Sequence, residues 1–275
     1  MKRTQSLLRL VGASSLAGFL ALSPALGQPA ADYQPTVGQQ GKDVVWVPTA
    51  ESLVERMLDT AAVTPNDYVI DLGSGDGRTV IAAAKRGAKA LGIEYNPDMV
   101  ELAIRNAAEA GVSDRARFVK ADLFETDFSQ ATVLTLFLLP DINLRLRPKI
   151  LDMKPGTRVV SNTFTMGEWT ADQTITSPPE CKSFCTAYFW IVPAKVEGQW
   201  RLEDGELTLK QQFQMVSGTM RSGNVVAPIA NGKLKGDEIT FSAGGREFKG
   251  RVNGDVIEGT SEAGESKATW RATRG

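Results

Sequence analysis

From residue 44 to the middle of the chain, the spacing of apolar residues switches repeatedly between a helical and an extended period. A helical period runs through 53–61 and is followed, after a Pro-Asn-Asp turn, by the strand-like run 68–72. The same alternation predicts further strands at 89–94, 116–121, 133–138 and 157–161, and helices at about 78–86, 97–110 and 143–153. Strands alternating with helices predict an α/β fold with a mostly parallel sheet and helices on both faces.

The pattern changes after Pro193. Residues 195–275 contain 13 of the 26 glycines, and short alternating apolar runs recur there. The predicted strands lie at 206–212, 232–235, 238–241, 246–252, 256–259 and 267–272, with hairpin turns at Asn231-Gly232, Gly244-Gly245 and Asn253-Gly254. This segment is therefore expected to be a small antiparallel β-domain, a barrel or a sandwich.

The first 27 residues have the pattern of a secretory signal peptide. Lys2 and Arg3 precede an apolar stretch over 10–22, and small residues stand at the −3 and −1 positions of a cleavage site after Gly27. Cleavage predicts an exported, periplasmic protein without a stable membrane span, because the apolar stretch is short. A retained leader that tethers the chain to a membrane is the alternative. Residues 28–43 are expected to be a flexible lead-in.

Composition excludes several kinds of chemistry. The chain has no histidine, so Ser-His-Asp and Cys-His catalysis, imidazole metal sites and a histidine general base are excluded. Its two cysteines, Cys181 and Cys185, cannot form a four-thiolate zinc site. In an exported protein they are either joined in a local disulfide or remain two thiols without a role.

The charge balance argues against generic binding of nucleic acids. The full chain has 31 basic and 32 acidic residues, a formal charge of −1. Removal of the leader with its three basic residues leaves 28 basic against 32 acidic residues, or −4. A polyanion such as RNA or an anionic membrane is therefore not an expected partner.

The most informative motif is the turn Asp71-Leu-Gly-Ser-Gly-Asp-Gly77, which follows the first predicted strand and precedes a helix. Its three glycines, Gly73, Gly75 and Gly77, permit positive φ and close approach of a ligand to the backbone. The third glycine comes one position too early for a dinucleotide fingerprint. Asp71 would also repel a pyrophosphate, so a ligand with an ammonium group fits better.

Two further carboxylates follow the next strands. Glu94 ends the second strand and can accept hydrogen bonds from ribose hydroxyls, and Asp122 follows the third strand, where it can receive an adenine amine. All three acidic positions lie at the carboxyl ends of successive strands, where open α/β sheets bind ligands. Together they predict a nucleoside site.

With these motifs the chain resembles the class I S-adenosylmethionine-dependent methyltransferases, which have a Rossmann-like fold. More narrowly, it is similar to the lysine methyltransferases of the ATP-synthase c-subunit and the adenine nucleotide translocase, and to their bacterial relatives. The matching stretches are Trp46-Val-Pro-Thr49, Leu72-Gly-Ser-Gly-Asp-Gly-Arg78, Gly92-Ile-Glu-Tyr-Asn-Pro97, Phe137-Leu-Leu-Pro140 through Lys149, and Pro155-Gly-Thr-Arg-Val-Val-Ser161.

The resemblance implies a methyltransferase domain over 44–193 that uses S-adenosylmethionine and methylates lysine in a protein. It assigns the cofactor to seven residues: Thr49, Asp71, Gly73, Gly75, Gly77, Glu94 and Asp122. Trp46 either covers the site or belongs to the core. A small-molecule methyl acceptor, and an exported nucleoside-binding module without activity, are the alternatives.

Transfer of a methyl group from a sulfonium to an amine needs alignment and a neutral nucleophile more than acid catalysis. Asp141, Asn143 and Asn162 are placed to receive and orient the amine, although Asp141 can equally be the N-cap of the following helix. The family often has an aromatic hydroxyl where Phe137 stands, and bacterial relatives often have histidine in place of Asn162. Altered chemistry is therefore one expectation.

Overall fold

A computed structural model describes residues 33–177 and 181–275. Its helices are α1 (Glu51–Thr60), α2 (Arg78–Lys85), α3 (Pro97–Glu109) and α4 (Pro140–Leu151). The first seven strands are β1 (Tyr68–Leu72), β2 (Lys89–Glu94), β3 (Ala116–Lys120), β4 (Val133–Leu136), β5 (Arg158–Asn162), β6 (Gln173–Thr176) and β7 (Thr186–Ile191). Within the described ranges, no helix has the length and apolar character needed to cross a membrane. The predicted leader lies outside the described residues.

These seven strands form one sheet in the order β3-β2-β1-β4-β5-β7-β6. β1 to β5 are parallel, whereas β7 runs antiparallel to β5, and β6 antiparallel to β7. The predicted mostly parallel sheet is confirmed. The β6–β7 hairpin was not predicted, because a loop of nine residues separates its strands and carries no two-residue hairpin turn.

Helices cover both faces of the sheet because successive residues of each strand point to opposite sides. Val69 belongs to an apolar cluster with Leu53 of α1 and Val80 of α2. Its neighbour Ile70 belongs to a second cluster, with Leu146 of α4. The expected helix–sheet–helix layers are thereby confirmed, and the carboxyl ends of β1 to β5 share one edge.

Helix α4 begins three residues earlier than predicted, at Pro140. Proline at the first helical position needs no amide partner and has a suitable φ, so Leu139 becomes the N-cap. Asp141 therefore lies inside the first turn, where its negative charge interacts favourably with the helix dipole. The prediction of Asp141 as the N-cap is wrong.

The C-terminal segment is a closed barrel of eight antiparallel strands. They are β8 (Gly198–Leu202), β9 (Gly205–Gln212), β10 (Met215–Ser222), β11 (Val225–Lys235), β12 (Glu238–Ala243), β13 (Arg246–Asn253), β14 (Val256–Ala263) and β15 (Ser266–Arg274). Pairing of β15 with β8 closes the barrel, and buried side chains such as Trp200 and Phe241 fill its interior. Of the two predicted β architectures, the barrel is confirmed.

One predicted hairpin turn in the barrel is wrong. Asn231 and Gly232 lie inside β11, at a register irregularity with both neighbouring strands, and Asn231 has a φ of 53°. A Cβ on Gly232 would lie 2.2 Å from the Val216 carbonyl oxygen. The Asn-Gly pair therefore forms a bulge that bends a long strand, a role that shares its residue preference with hairpin turns.

The barrel packs directly against the sheet domain. The Phe213 ring stacks on Trp169 with centroids 6.2 Å apart and an interplanar angle of 15°. Next to it, the side-chain amide of Gln214 donates to the Thr170 carbonyl (2.8 Å), and the backbone amide of Ala194 donates to the Gly236 carbonyl (2.8 Å). Phe213 thus anchors the interface between the barrel and the sheet domain. It is far in sequence from every predicted cofactor residue.

Replacement of Phe213 by alanine is expected to lower the free energy of unfolding by about 1.5 to 3 kcal/mol, less than for a fully buried phenylalanine because Phe213 is half-buried. Chemical denaturation followed by tryptophan fluorescence measures this loss. S-adenosylhomocysteine affinity should not change. A large loss of S-adenosylhomocysteine affinity in Phe213→Ala, with unchanged stability, would contradict the assignment of Phe213 to the interface between the barrel and the sheet domain.

Candidate cofactor cleft and acceptor face

A cleft of about 1040 Å³, counting its open mouth, lies at the carboxyl ends of β1 to β4. Its walls come from the segment before α1, from the turn after β1, and from the residues that follow β2, β3 and β4. Six of the seven predicted cofactor residues line it: Thr49, Asp71, Gly73, Gly75, Glu94 and Asp122. The structure therefore brings together residues that are far apart in the sequence.

The glycine turn is shaped by close packing. Gly73, Gly75 and Gly77 have φ values of 77°, 53° and 84°. A Cβ on Gly75 would lie 2.6 Å from the indole nitrogen of Trp46, so Trp46 covers the turn. A Cβ on Gly77 would instead lie 2.7 Å from the Phe118 ring. Gly77 is outside the cleft lining and serves helix–strand packing, which corrects its predicted contact with the cofactor.

Glu94 fixes the shape of this turn. Its Oε2 accepts a hydrogen bond from the Gly75 amide (3.0 Å), and its Oε1 accepts from the amides of Tyr95 and Asn96 (both 2.9 Å). The carboxylate thereby connects the end of β2 to the turn after β1. This bracing role was not predicted, because the motif alone indicates only a ribose ligand.

Asp71 is a buried carboxyl group at the floor of the cleft. Burial raises its pKa to about 7, the negative charges of Glu94 and Asp76 act in the same direction, and a hydrogen bond from Thr135 Oγ1 (2.6 Å) opposes them. A cationic group placed nearby would favour the ionised form. The residue therefore suits a ligand that carries a positive charge.

Asp122 is already engaged by the segment before α1. The Lys42 ammonium group forms an ion pair with it, and the Phe124 amide donates to its other oxygen (2.9 Å). The hydrogen bond from Lys42 is the main cause that lowers the pKa of Asp122. Residues 33–43, the described part of the expected flexible lead-in, therefore contact the cleft.

Two of the predicted catalytic side chains are structural. Asn162 is fully buried, and its amide nitrogen donates to Thr49 Oγ1 (3.1 Å) while its oxygen accepts from Thr163 Oγ1 (2.8 Å). Asn143 is also fully buried and donates to Ser161 Oγ (3.2 Å). Neither lines the cleft, so the expectation that they orient the amine directly is not met.

The start of α4 also differs from expectation. Asp141 is exposed and lies outside the cleft lining. The Leu139 carbonyl accepts from the amides of Ile142 and Asn143. Because α4 begins early, this carbonyl accepts hydrogen bonds from the first turn of the helix.

Three phenylalanine rings lie close together near the carboxyl end of β4. Phe137 lines the cleft, stacks on Phe164 with centroids 6.3 Å apart, and contacts Phe184 edge-on at 5.3 Å. We call this set the aromatic wall. Its signal in the sequence was weak, since single phenylalanines in loops are compatible with ordinary packing.

The basic residues of α4 pack onto the protein. Arg145 stacks on the Phe124 ring, with its guanidinium carbon 3.7 Å from the centroid. Arg147 donates to the Met166 carbonyl (2.8 Å), and Lys149 donates to the Thr126 carbonyl. These side chains therefore stabilise the domain.

Comparison with known proteins gives the family. A model of the ANTKMT methyltransferase domain matches residues 71–173. A protein-lysine N-methyltransferase of Saccharolobus islandicus is 47% identical over 135 residues, which cover 48% of this chain and 84% of that protein. The chain belongs to the protein-lysine N-methyltransferase family. It is an S-adenosylmethionine-dependent methyltransferase.

Two other relatives each match just over half of the chain. The mouse lysine N-methyltransferase of the ATP synthase c-subunit is 34% identical over 154 residues, 56% of this chain, and the chain spans 57% of its length. A Salinibacter ruber structure, described as an RNA methyltransferase in complex with S-adenosylhomocysteine, is 47% identical with a TM-score of 0.51. The match covers 55% of this methyltransferase and 96% of that chain.

The cleft fits the cofactor. Asp71 can balance the positive charge of its ammonium group, and Glu94 and Asp122 offer acceptors at the ends of β2 and β3. When bound, S-adenosylmethionine supplies a methyl group activated by a positive sulfonium. Because this methyl group is already electrophilic, the protein's task is to align and desolvate the acceptor.

Proposed function

We propose that this methyltransferase transfers the methyl group to the side-chain amine of lysine in a protein. The observation that carries the proposal is the 47% identity to the archaeal protein-lysine N-methyltransferase, of which the match covers 84%. The ANTKMT domain model matches residues 71–173, which include the glycine turn, Glu94 and Asp122 of the cofactor cleft. The lysine methyltransferase activity of the archaeal protein therefore belongs to a domain similar to the one in this chain.

We place the methyl acceptor on the side of the cleft that follows β4, and the lining of this acceptor side agrees with an amine substrate. Removing the proton from a lysine side chain at pH 7 costs about 4 to 5 kcal/mol, because its ordinary pKa is near 10.4. Phe137 and Leu138 line this side, and an apolar environment lowers the pKa of an amine by disfavouring its charged form. The lysine proton leaves to solvent before the nitrogen takes the methyl group.

RNA is the second candidate acceptor, favoured by the description of the Salinibacter structure. The net charge of −1 argues against it, because affinity for RNA depends strongly on neutralising phosphates with basic residues. A small-molecule acceptor agrees with the same cleft but is supported by none of the three relatives compared above.

A labelled-methyl assay separates these acceptors. The full chain is incubated with S-adenosylmethionine carrying a labelled methyl group and with bacterial lysate protein, total RNA or a metabolite extract. We expect label in protein, found on lysine by mass spectrometry. Lysate whose lysines have been chemically acetylated is the matched control and should remain unlabelled. Label in RNA or metabolites alone would reject the proposal.

We also propose that the protein is exported. The Cys181–Cys185 disulfide supports this, because disulfides persist in oxidising compartments and are rare in the cytosol. The signal-like pattern of residues 1–27 supports it as well. N-terminal sequencing of the native protein should find Gln28 first, and an intact Met1 with two free thiols would contradict export.

A further inference from the structure

The loop between β6 and β7 carries an unusual phenylalanine. Phe184 lies between Ser183 and Cys185, and the disulfide from Cys181 to Cys185 closes this short segment. Phe184 has a φ of 55° and is 41% exposed. A bulky residue in the left-handed region is strained and uncommon, so its place needs an explanation.

Core packing does not explain this residue, since much of its surface faces solvent. Its ring contacts Phe137 edge-on, with centroids 5.3 Å apart and an interplanar angle of 62°. Phe137 lines the cofactor cleft. Phe184 therefore extends the wall of the cleft outward beyond Phe137, on the side that follows β4.

The topology of the sheet explains how this residue reaches the site. β7 runs antiparallel to β5, and Asn162 at the end of β5 pairs with Ala187 near the start of β7. The residues just before β7 consequently lie at the same edge as the carboxyl ends of β4 and β5. The disulfide loop thus stands beside the acceptor face.

We propose that Phe184 is a specificity-determining residue of the acceptor entrance, and that the Cys181–Cys185 disulfide is its positioning element. This inference rests on the proposed lysine methyltransferase function. The rings of Phe184 and Phe137 pack along the methylene chain of the lysine, and their apolar surfaces disfavour the charged form of its amine. The disulfide holds residues 181–185 in the conformation that keeps Phe184 beside Phe137.

Steady-state kinetics with the full chain test the proposal, with lysate protein as the methyl acceptor. The variants are Phe184→Ala, Phe184→Leu and the double variant Cys181→Ser/Cys185→Ser. Ile104→Ala is the matched control, because Ile104 is 49% exposed on α3, away from the cleft lining. S-adenosylhomocysteine affinity is measured in parallel by calorimetry.

We expect Phe184→Ala to raise the half-saturating concentration of lysate protein at least fivefold, Phe184→Leu to raise it less, and neither to change S-adenosylhomocysteine affinity more than twofold. The double cysteine variant should resemble Phe184→Ala. Dithiothreitol, which reduces the disulfide to two thiols as it is itself oxidised to a disulfide, should have the same effect on the wild type and none on the double variant.

Two results would overturn this inference while the proposed function stands. One is a half-saturating concentration in Phe184→Ala equal to that of Ile104→Ala. The other is a parallel loss of S-adenosylhomocysteine affinity, which would indicate a general structural role. If the wild type binds S-adenosylhomocysteine but transfers no methyl group to lysine, the proposed function fails, and this inference fails with it.

Discussion

Replacing Glu94 by alanine is expected to weaken S-adenosylhomocysteine binding by about 1.5 to 3 kcal/mol, which is about 10- to 150-fold in Kd. Two effects combine. The variant removes the acceptor expected for the ribose hydroxyls at the end of β2. It also releases the amides of Gly75, Tyr95 and Asn96, which the carboxylate now holds at 2.9 to 3.0 Å.

Calorimetric titration measures this effect, with Glu101→Ala as the matched control. Glu101 is an exposed glutamate on α3 and lies outside the cleft lining, so its removal should leave Kd unchanged. Glu94→Gln should have an intermediate effect, because it keeps one oxygen acceptor and replaces the other by a donor. Equal affinities for the wild type and Glu94→Ala would reject the ribose assignment.

The parts of the site that could be predicted from the sequence depend on local chemistry. A positive φ at Gly73 and Gly75 follows from the turn itself, and Asp71 and Glu94 stand where strands end. Both the strand pattern and the ligand edge of a parallel sheet are consequences of short-range spacing. For the same reason, the first five strands were predicted within about two residues at either end.

The missing parts depend on contacts between distant segments. Lys42 and Asp122 are 80 positions apart, and nothing in either local sequence indicates that they pair. Asn162 has the residue type of an orienting amide, but Thr49, 113 positions away, takes its donor. Phe184 reaches Phe137 only because β7 turns back along β5.

The barrel shows the same division. Its glycine-rich alternation predicted the class of fold, but β8 and β10 were missed because each has only one buried residue, Trp200 and Val216, and therefore little apolar periodicity. Asn231-Gly232 was assigned as a turn since its residue type suits both hairpin turns and bulges. The position of Gly232 against the Val216 backbone, which only the tertiary structure defines, decides between them.

The affinity for S-adenosylhomocysteine is expected to rise by about tenfold from pH 6 to pH 8, because Asp71 must lose its proton to pair with the ligand's ammonium group. In the free protein, burial raises the pKa of Asp71 to about 7, so the neutral form dominates at pH 6 and the carboxylate at pH 8. Binding should release a proton within this range. The chain has no histidine, so no imidazole titrates in the same window.

Titrations at pH 6, 7 and 8 in buffers of different ionisation enthalpy measure both the affinity and the released proton. The matched variant Asp71→Asn cannot titrate and should bind weakly at every pH, with no proton release. In the wild type without ligand, ionisation of Asp71 lowers the stability of the fold, whereas it raises the affinity for the ligand. Because its folded pKa is raised, its stabilising contribution is present below about pH 3.8 and is lost as the pH rises through about 7. A pH-independent wild-type affinity would show that Asp71 does not pair with the ammonium group.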